Sequence, residues 1–83
     1  MIAIIDYGVG NLFSLSGSLN FLGLENKITS DCQDIINADQ IILPGVGAFR
    51  DAIEKLEASG LIDVIKKEVR SGKPLLGICL GMQ

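Results

Sequence analysis

Histidine is absent from this chain of 83 residues, so the sequence offers no imidazole that could serve as a general base. Positive charge is also scarce: the chain has seven Lys and Arg residues and a net charge of −3. Because these basic residues are scattered and not clustered, a nucleic-acid partner is not expected. No apolar run approaches the roughly 20 residues of a membrane span. Only two cysteines occur, and no basic leader precedes the apolar start Met1–Ile5, so we expect a reducing, cytoplasmic setting.

Apolar side chains, by contrast, are abundant at 48% of the residues. A chain of this length forms at most one small domain and buries roughly 60% of the surface that its unfolded form exposes. We therefore expect a single partial domain over residues 1–83, with apolar surfaces that are suited to being covered.

Short apolar runs alternate with longer amphipathic ones, and this order predicts parallel βαβ units. Right-handed crossovers then place helices on both faces of the sheet. The predicted fold class is α/β, a three-layer open parallel sheet of about four strands. The predicted strands are Ile2–Ile5, about Glu25–Thr29, Gln40–Leu43 and Leu75–Ile78, and the predicted helices lie at about 12–22, 31–36, 48–59 and 61–70.

Several local features accompany these elements. Gly23 and Gly72 suit the position that ends a helix, and Asn11 suits the position that begins one. Leucines at helical spacing predict a buried helix face, comprising Leu12, Leu15, Leu19 and Leu22. The run Leu75-Leu76 predicts a buried strand. In residues 1–83 this fourth strand is also expected to lack its outer neighbour, and an exposed edge from Leu75 to Leu80 would favour strand pairing and association. Cys32 is expected to be a small residue on a helix or loop rather than half of a disulfide.

The segment Gly77-Ile78-Cys79-Leu80-Gly81 has the pattern of a nucleophile elbow, with Cys in place of the usual Ser. The two glycines suit a turn too tight for a Cβ on either side of the nucleophile. A helix starting at Leu80 would direct free N–H groups at the sulfur and favour the thiolate. The backbone N–H of Leu80 is then the first oxyanion donor. The alternative is a buried strand cysteine between packing glycines.

Two further loops are expected at the same edge, where ligands bind in open α/β sheets. In the loop Pro44–Ala48, Gly45 and Gly47 would let backbone N–H groups turn inward as a second oxyanion donor, although Pro and Gly also simply end strands. The turn Asp6–Asn11 does not fit a dinucleotide site, because Phe13 occupies the place of the third glycine of that motif.

These three motifs together resemble the class I, or triad-type, glutamine amidotransferases. The elbow and the Pro44–Phe49 segment carry that resemblance, which covers the whole chain. The opening Ile4–Asn11 narrows it to the family of glutaminase subunits of imidazole glycerol phosphate synthase, from histidine biosynthesis. The chain is then the N-terminal part of such a domain, ending at the elbow.

The resemblance implies hydrolysis of glutamine to glutamate and ammonia, within the hydrolase and lyase classes and without a cofactor or metal. It also implies a heterodimer with a cyclase subunit, a (β/α)8 barrel that uses the ammonia. By the same resemblance Cys79 is the nucleophile, Val46 and Leu80 give oxyanion donors, and Gly47 and Gln83 hold the glutamine backbone groups. Asn11 is implied to lie at the partner interface.

One departure from the family pattern changes the expected activity. The His and Glu of the family's triad lie downstream of the elbow, beyond Gln83, so nothing in these residues protonates the leaving ammonia or activates the deacylating water. We expect negligible turnover from residues 1–83 alone. The alternative function is a non-catalytic α/β interaction or effector-binding module, which the lack of histidine favours.

Overall fold

The computed structural model describes residues 1–8, 12–44 and 49–78, with side chains described at 1–8, 12–44 and 54–76. Within these ranges strands and helices follow one another in the order βαβαβααβ. The strands are β1 (Ile2–Ile5), β2 (Asn26–Thr29), β3 (Gln40–Pro44) and β4 (Leu75–Ile78). The helices are α1 (Leu12–Phe21), α2 (Cys32–Asn37), α3 (Phe49–Ser59) and α4 (Ile62–Arg70).

The four strands form one parallel sheet in the order β2-β1-β3-β4. The central strand β1 is buried along its whole length, which explains its uninterrupted apolar sequence. Strand β4 lies at the edge beside β3. The α/β fold class with a parallel sheet of four strands is therefore confirmed.

Helices cover both faces of the sheet, as predicted. On the first face, α1 packs Leu19 against Ile4 and Ile42 of the central strands. On the second face, Ile35 of α2 and Ile65 of α4 belong to a larger cluster that also includes Ala3, Ile5, Ile41, Leu56 and Leu61. Because strand residues alternate between faces, consecutive residues of β1 belong to the two different clusters.

A polar cluster links the end of β2 to α2 on the second face. The Thr29 hydroxyl is buried, donates to Asp34 Oδ2 at 2.6 Å and accepts from the Asp31 amide at 3.0 Å. Lys27 Nζ lies 3.0 Å from the same Asp34 oxygen. The Thr29 hydrogen bond, followed by Lys27, lowers the pKa of Asp34 below its ordinary value, so the carboxylate stays ionised at neutral pH.

The predicted glycine helix ends are confirmed. Gly23 has a φ of +78°, its amide donates to the Asn20 carbonyl, and the Leu24 amide reaches back to the Leu19 carbonyl at 2.9 Å. This pair of bonds is the Schellman arrangement, which satisfies the last carbonyls of α1. Gly72, with a φ of +105°, ends α4 in the same way.

Two predicted burials are wrong. Leu22 follows the last residue of α1 and is 67% exposed, because the chain turns away from the sheet at Gly23. Leu75 and Leu76 are 43% and 56% exposed, since β4 is an edge strand and no further strand or helix covers them among the described residues. Cys32 is exposed and free at the start of α2, in agreement with the prediction.

Candidate active site at the carboxyl edge

The candidate site is built on the carboxyl ends of three adjacent strands. Strands β1, β3 and β4 are neighbours and all run the same way, so the segments that leave them start from one edge. At this edge Pro44, the last residue of β3, pairs with Ile78, the last residue of β4. The glycine-rich segment 45–48 and the elbow therefore begin from two strand ends in direct register.

The end of β1 is tied to the end of β3 by one side chain. Tyr7 follows β1 and is buried, and its hydroxyl donates to the Pro44 carbonyl at 2.6 Å. Burial raises the pKa of Tyr7 above its ordinary value, so the hydroxyl keeps its proton across the neutral range and remains a donor. This bond spans 37 residues of sequence and ends on the last carbonyl before segment 45–48.

The backbone that carries Tyr7 is itself held on both sides. The Asp6 amide donates to the Thr29 carbonyl at 2.9 Å, which extends the pairing of β1 with β2 by one step. Gly8 then turns with a φ of +90°, a conformation that side-chain-bearing residues rarely adopt. The turn thus directs Tyr7 into the second face of the sheet, where its ring joins the main apolar cluster.

At the opposite end of β4, Lys73 anchors the chain before the strand begins. Its Nζ donates to the carbonyls of Ile35 and Ile36 at 2.9 and 2.8 Å and pairs with Glu68 Oε1 at 2.8 Å. Both charged side chains are largely buried, at 11% and 14% exposed. The cation meets the last carbonyls of α2, where helix geometry favours positive charge.

The residues predicted to serve catalysis, substrate binding and the partner interface lie outside the described ranges. These are Asn11, Val46, Gly47, Cys79, Leu80 and Gln83. The structure gives the positions of the residues that precede these segments. Gly8 precedes segment 9–11, Pro44 precedes segment 45–48, and Ile78 precedes Cys79. The roles assigned to the six residues remain predictions.

Within the described ranges, no three His, Cys, Asp or Glu side chains are grouped so that they could hold a metal ion. None of the described helices is long and apolar enough to cross a membrane.

Comparison with known proteins settles the family. The family model described as "Glutamine amidotransferase class-I" matches residues 3–83. The chain belongs to the class I glutamine amidotransferases.

Curated relatives of this amidotransferase chain are similar over its whole length. It is 54% identical over 83 residues to the imidazole glycerol phosphate synthase subunit HisH of Listeria innocua. It is 55% identical to the proteins of the same name from Bacillus cereus and Caldanaerobacter subterraneus subsp. tengcongensis. The chain spans 40% of the length of the first two relatives and 41% of the third. The predicted resemblance to a subunit of imidazole glycerol phosphate synthase is therefore confirmed.

Two side-chain contacts, one at the carboxyl end of β3 and one before β4, were not predicted from the sequence. Tyr7 lies in the predicted turn Asp6–Asn11, and no local pattern indicates its hydrogen bond to Pro44. Lys73 lies between Gly72 and Pro74, a sequence that predicts a helix end and a turn but not a buried cation. Both contacts join positions more than 30 residues apart, so only the fold reveals them.

Proposed function

We propose that this chain provides the nucleophile and the oxyanion site of a glutaminase. In this reaction the Cys79 thiolate attacks the side-chain amide carbon of glutamine, and the amide nitrogen leaves as ammonia once it is protonated. Water then hydrolyses the γ-glutamyl thioester, which releases glutamate and returns the thiol. Backbone N–H groups of Val46 and Leu80 would stabilise the oxyanion, while Gly47 and Gln83 would hold the substrate's backbone groups.

The observation that carries this proposal is the pairing of Pro44 with Ile78. An oxyanion site of two backbone donors requires the loop that provides one donor to lie beside the turn that provides the other. The register of β3 and β4 supports this arrangement, because the two segments begin at paired residues. Membership of the class I glutamine amidotransferases supports the choice of glutamine as substrate.

The ammonia is proposed to pass to a cyclase partner in imidazole glycerol phosphate synthesis. The support is the similarity to proteins named as subunits of that synthase. A heterodimer with a (β/α)8-barrel cyclase, contacted through Asn11, completes the proposal, and the cytoplasm is its proposed setting. The prediction of a lyase activity, implied by the resemblance, is wrong. The chain is similar to the HisH subunit, and the proposed release of ammonia from an amide by water is a hydrolysis.

Residues 1–83 alone are proposed to be inactive. They contain no histidine, so the proton transfers that a triad provides must come from other residues. General acid–base catalysis contributes about 100- to 10,000-fold, and the members of a triad act as a unit.

The test uses the full-length gene product and an electrophilic glutamine analogue that carries a diazoketone in place of the side-chain amide. Cys79 should be labelled in preference to Cys32, and free glutamine should protect it. Cys32 is a sharp internal control because it is exposed, so any preference reflects chemistry rather than access. Iodoacetamide should label Cys32 readily in the same sample.

Equal, slow labelling of both cysteines, unaffected by glutamine, would instead support the non-catalytic binding module. Replacement of Cys79 with Ala should abolish glutamine hydrolysis, measured as glutamate release in the presence of the cyclase. Replacement of Cys32 with Ala should leave the rate within about two-fold of the original, as is usual for exposed positions away from a site.

A further inference from the structure

The Tyr7 hydroxyl is placed where it controls the start of the glycine-rich segment. Its oxygen lies 2.6 Å from the Pro44 carbonyl oxygen, the contact is buried, and the phenol is the donor. A peptide unit is planar, so a partner that fixes the carbonyl oxygen of Pro44 also fixes the plane of the peptide from which segment 45–48 departs.

The surroundings of Tyr7 leave it little freedom. Its ring belongs to the apolar cluster of the second face, and only 7% of its surface is exposed. Before Tyr7, the Asp6 amide donates a hydrogen bond to the Thr29 carbonyl of β2. After Tyr7, the chain turns at Gly8, which has a positive φ. Because the Tyr7 hydroxyl is held in one place relative to β1, it fixes the position of the Pro44 carbonyl at the end of β3.

We propose that Tyr7 is a positioning residue for the oxyanion loop: its hydroxyl orients the Pro44 carbonyl and thereby the peptide that leads to Val46. This inference rests on the proposed glutaminase function and assigns to Tyr7 a role that acts through the backbone. Tyr7 is not a catalytic residue, since the contact described for its hydroxyl is with Pro44 and not with the reacting atoms.

The kinetic test compares Tyr7→Phe with Ser16→Ala in the full-length gene product bound to its cyclase. The first substitution removes the hydroxyl and keeps the ring. The second is a matched control, because the Ser16 hydroxyl makes an equally short bond of 2.6 Å to Asn26 Oδ1, at the amino end of β2. Both variants lose one hydroxyl hydrogen bond, but only one loses it beside the candidate site.

Tyr7→Phe should lower kcat for glutamine hydrolysis by about 10-fold and leave KM within about three-fold, since outright loss of an oxyanion donor costs about 100- to 1,000-fold and a displaced donor costs less. Alkylation of Cys79 by iodoacetamide, which needs no oxyanion site, should keep its rate. Ser16→Ala should leave kcat unchanged. Equal kcat values for Tyr7→Phe and the unmodified protein would overturn the proposal, as would equal losses in both variants.

A second readout does not depend on activity. In protein labelled with [15N]glycine, Tyr7→Phe should move the amide resonances of Gly45 and Gly47, and Ser16→Ala should not. Unmoved resonances would contradict the positioning role. If the unmodified protein hydrolyses no glutamine, the glutaminase proposal fails by itself, and the resonances still decide whether Tyr7 positions the loop.

Discussion

Two single residues hold the strands that lead to the candidate site, one at the carboxyl end of β3 and one before the amino end of β4. Tyr7 fixes the carboxyl end of β3, and Lys73 fixes the chain just before β4. Each is a side chain whose partner is a backbone carbonyl of another element, so each restrains a strand end without contributing to the sheet ladder. The pairing of Pro44 with Ile78 lies at the Tyr7 anchor, and Lys73 holds the chain before the opposite end of β4.

Loss of Lys73 should destabilise the protein more than loss of an ordinary surface lysine. We expect Lys73→Met to lower the free energy of unfolding by about 3 kcal/mol, because it leaves a largely buried Glu68 without its cation and removes the lysine donor from the carbonyls of Ile35 and Ile36. The Ile35 carbonyl keeps the amide of Ala38 as a donor, at 3.4 Å. Urea denaturation of the full-length gene product measures this change.

Lys66→Met is the matched control, since it removes the same charge from the exposed surface of α4. Its effect should stay within about 0.5 kcal/mol, as for most exposed positions. The double substitution Lys73→Met with Glu68→Gln should recover part of the loss. Equal effects of Lys73→Met and Lys66→Met would show that the buried contacts contribute nothing.

At the scale of elements, α1 and α4 are each ended by a glycine with a positive φ, a conformation that glycine adopts without steric strain. The bonds from Gly23 and Leu24 back to α1 and those from Gly72 and Lys73 back to α4 follow the same pattern. The pattern also sets where the following strand starts, because the chain leaves each helix in a fixed direction. In α4 it places Lys73 where its side chain reaches the end of α2.

Replacement by alanine should change the stability of the protein in opposite directions at two glycines, one inside α1 and one just after it. Gly23→Ala should cost about 1 kcal/mol of stability, because a side chain at positive φ is strained even though open space surrounds it. Gly17→Ala should stabilise the protein by about 0.5–1 kcal/mol, since Gly17 lies inside α1 and a Cβ there also meets open space. Thermal unfolding monitored by circular dichroism measures both changes. A destabilising Gly17→Ala would mean that the exposed side of α1 is covered in the folded protein.

At the scale of the whole molecule, three of the described helices, α2, α3 and α4, contribute to the cluster on the second face of the sheet, and α1 contributes to the cluster on the first. A groove of 240 Å³ lies beside α1 on the first face and is lined mainly by apolar side chains, including Leu19, Leu24, Ile42 and Leu76. The edge strand β4 borders this groove and exposes its leucines. An unpaired apolar edge is a surface on which other strands pair.

Residues 1–83 as an isolated polypeptide should therefore associate into dimers or larger species. Leu76→Lys should reduce that association, because a charge on an edge strand opposes edge-to-edge pairing. Phe21→Lys is the control: Phe21 is 90% exposed on α1 and would respond most if association were merely a consequence of exposed apolar surface. Sedimentation velocity over a concentration series distinguishes the two, and a monomer at all concentrations would contradict the expectation.

The sequence by itself determined the α/β class, the four strands and the glycine helix ends, because each depends on local periodicity or on a single residue's backbone freedom. It also determined the family, since each of the motifs at 44–49 and 77–83 is an uninterrupted run of residues that can be recognised without the fold. Only the tertiary structure decided how much of Leu75 and Leu76 is exposed, and that Leu22 lies beyond the buried face. It alone placed Pro44 opposite Ile78 and brought Tyr7 and Lys73 to their carbonyls. Strand order and contacts across more than 30 residues depend on how the whole chain packs, which no local pattern encodes.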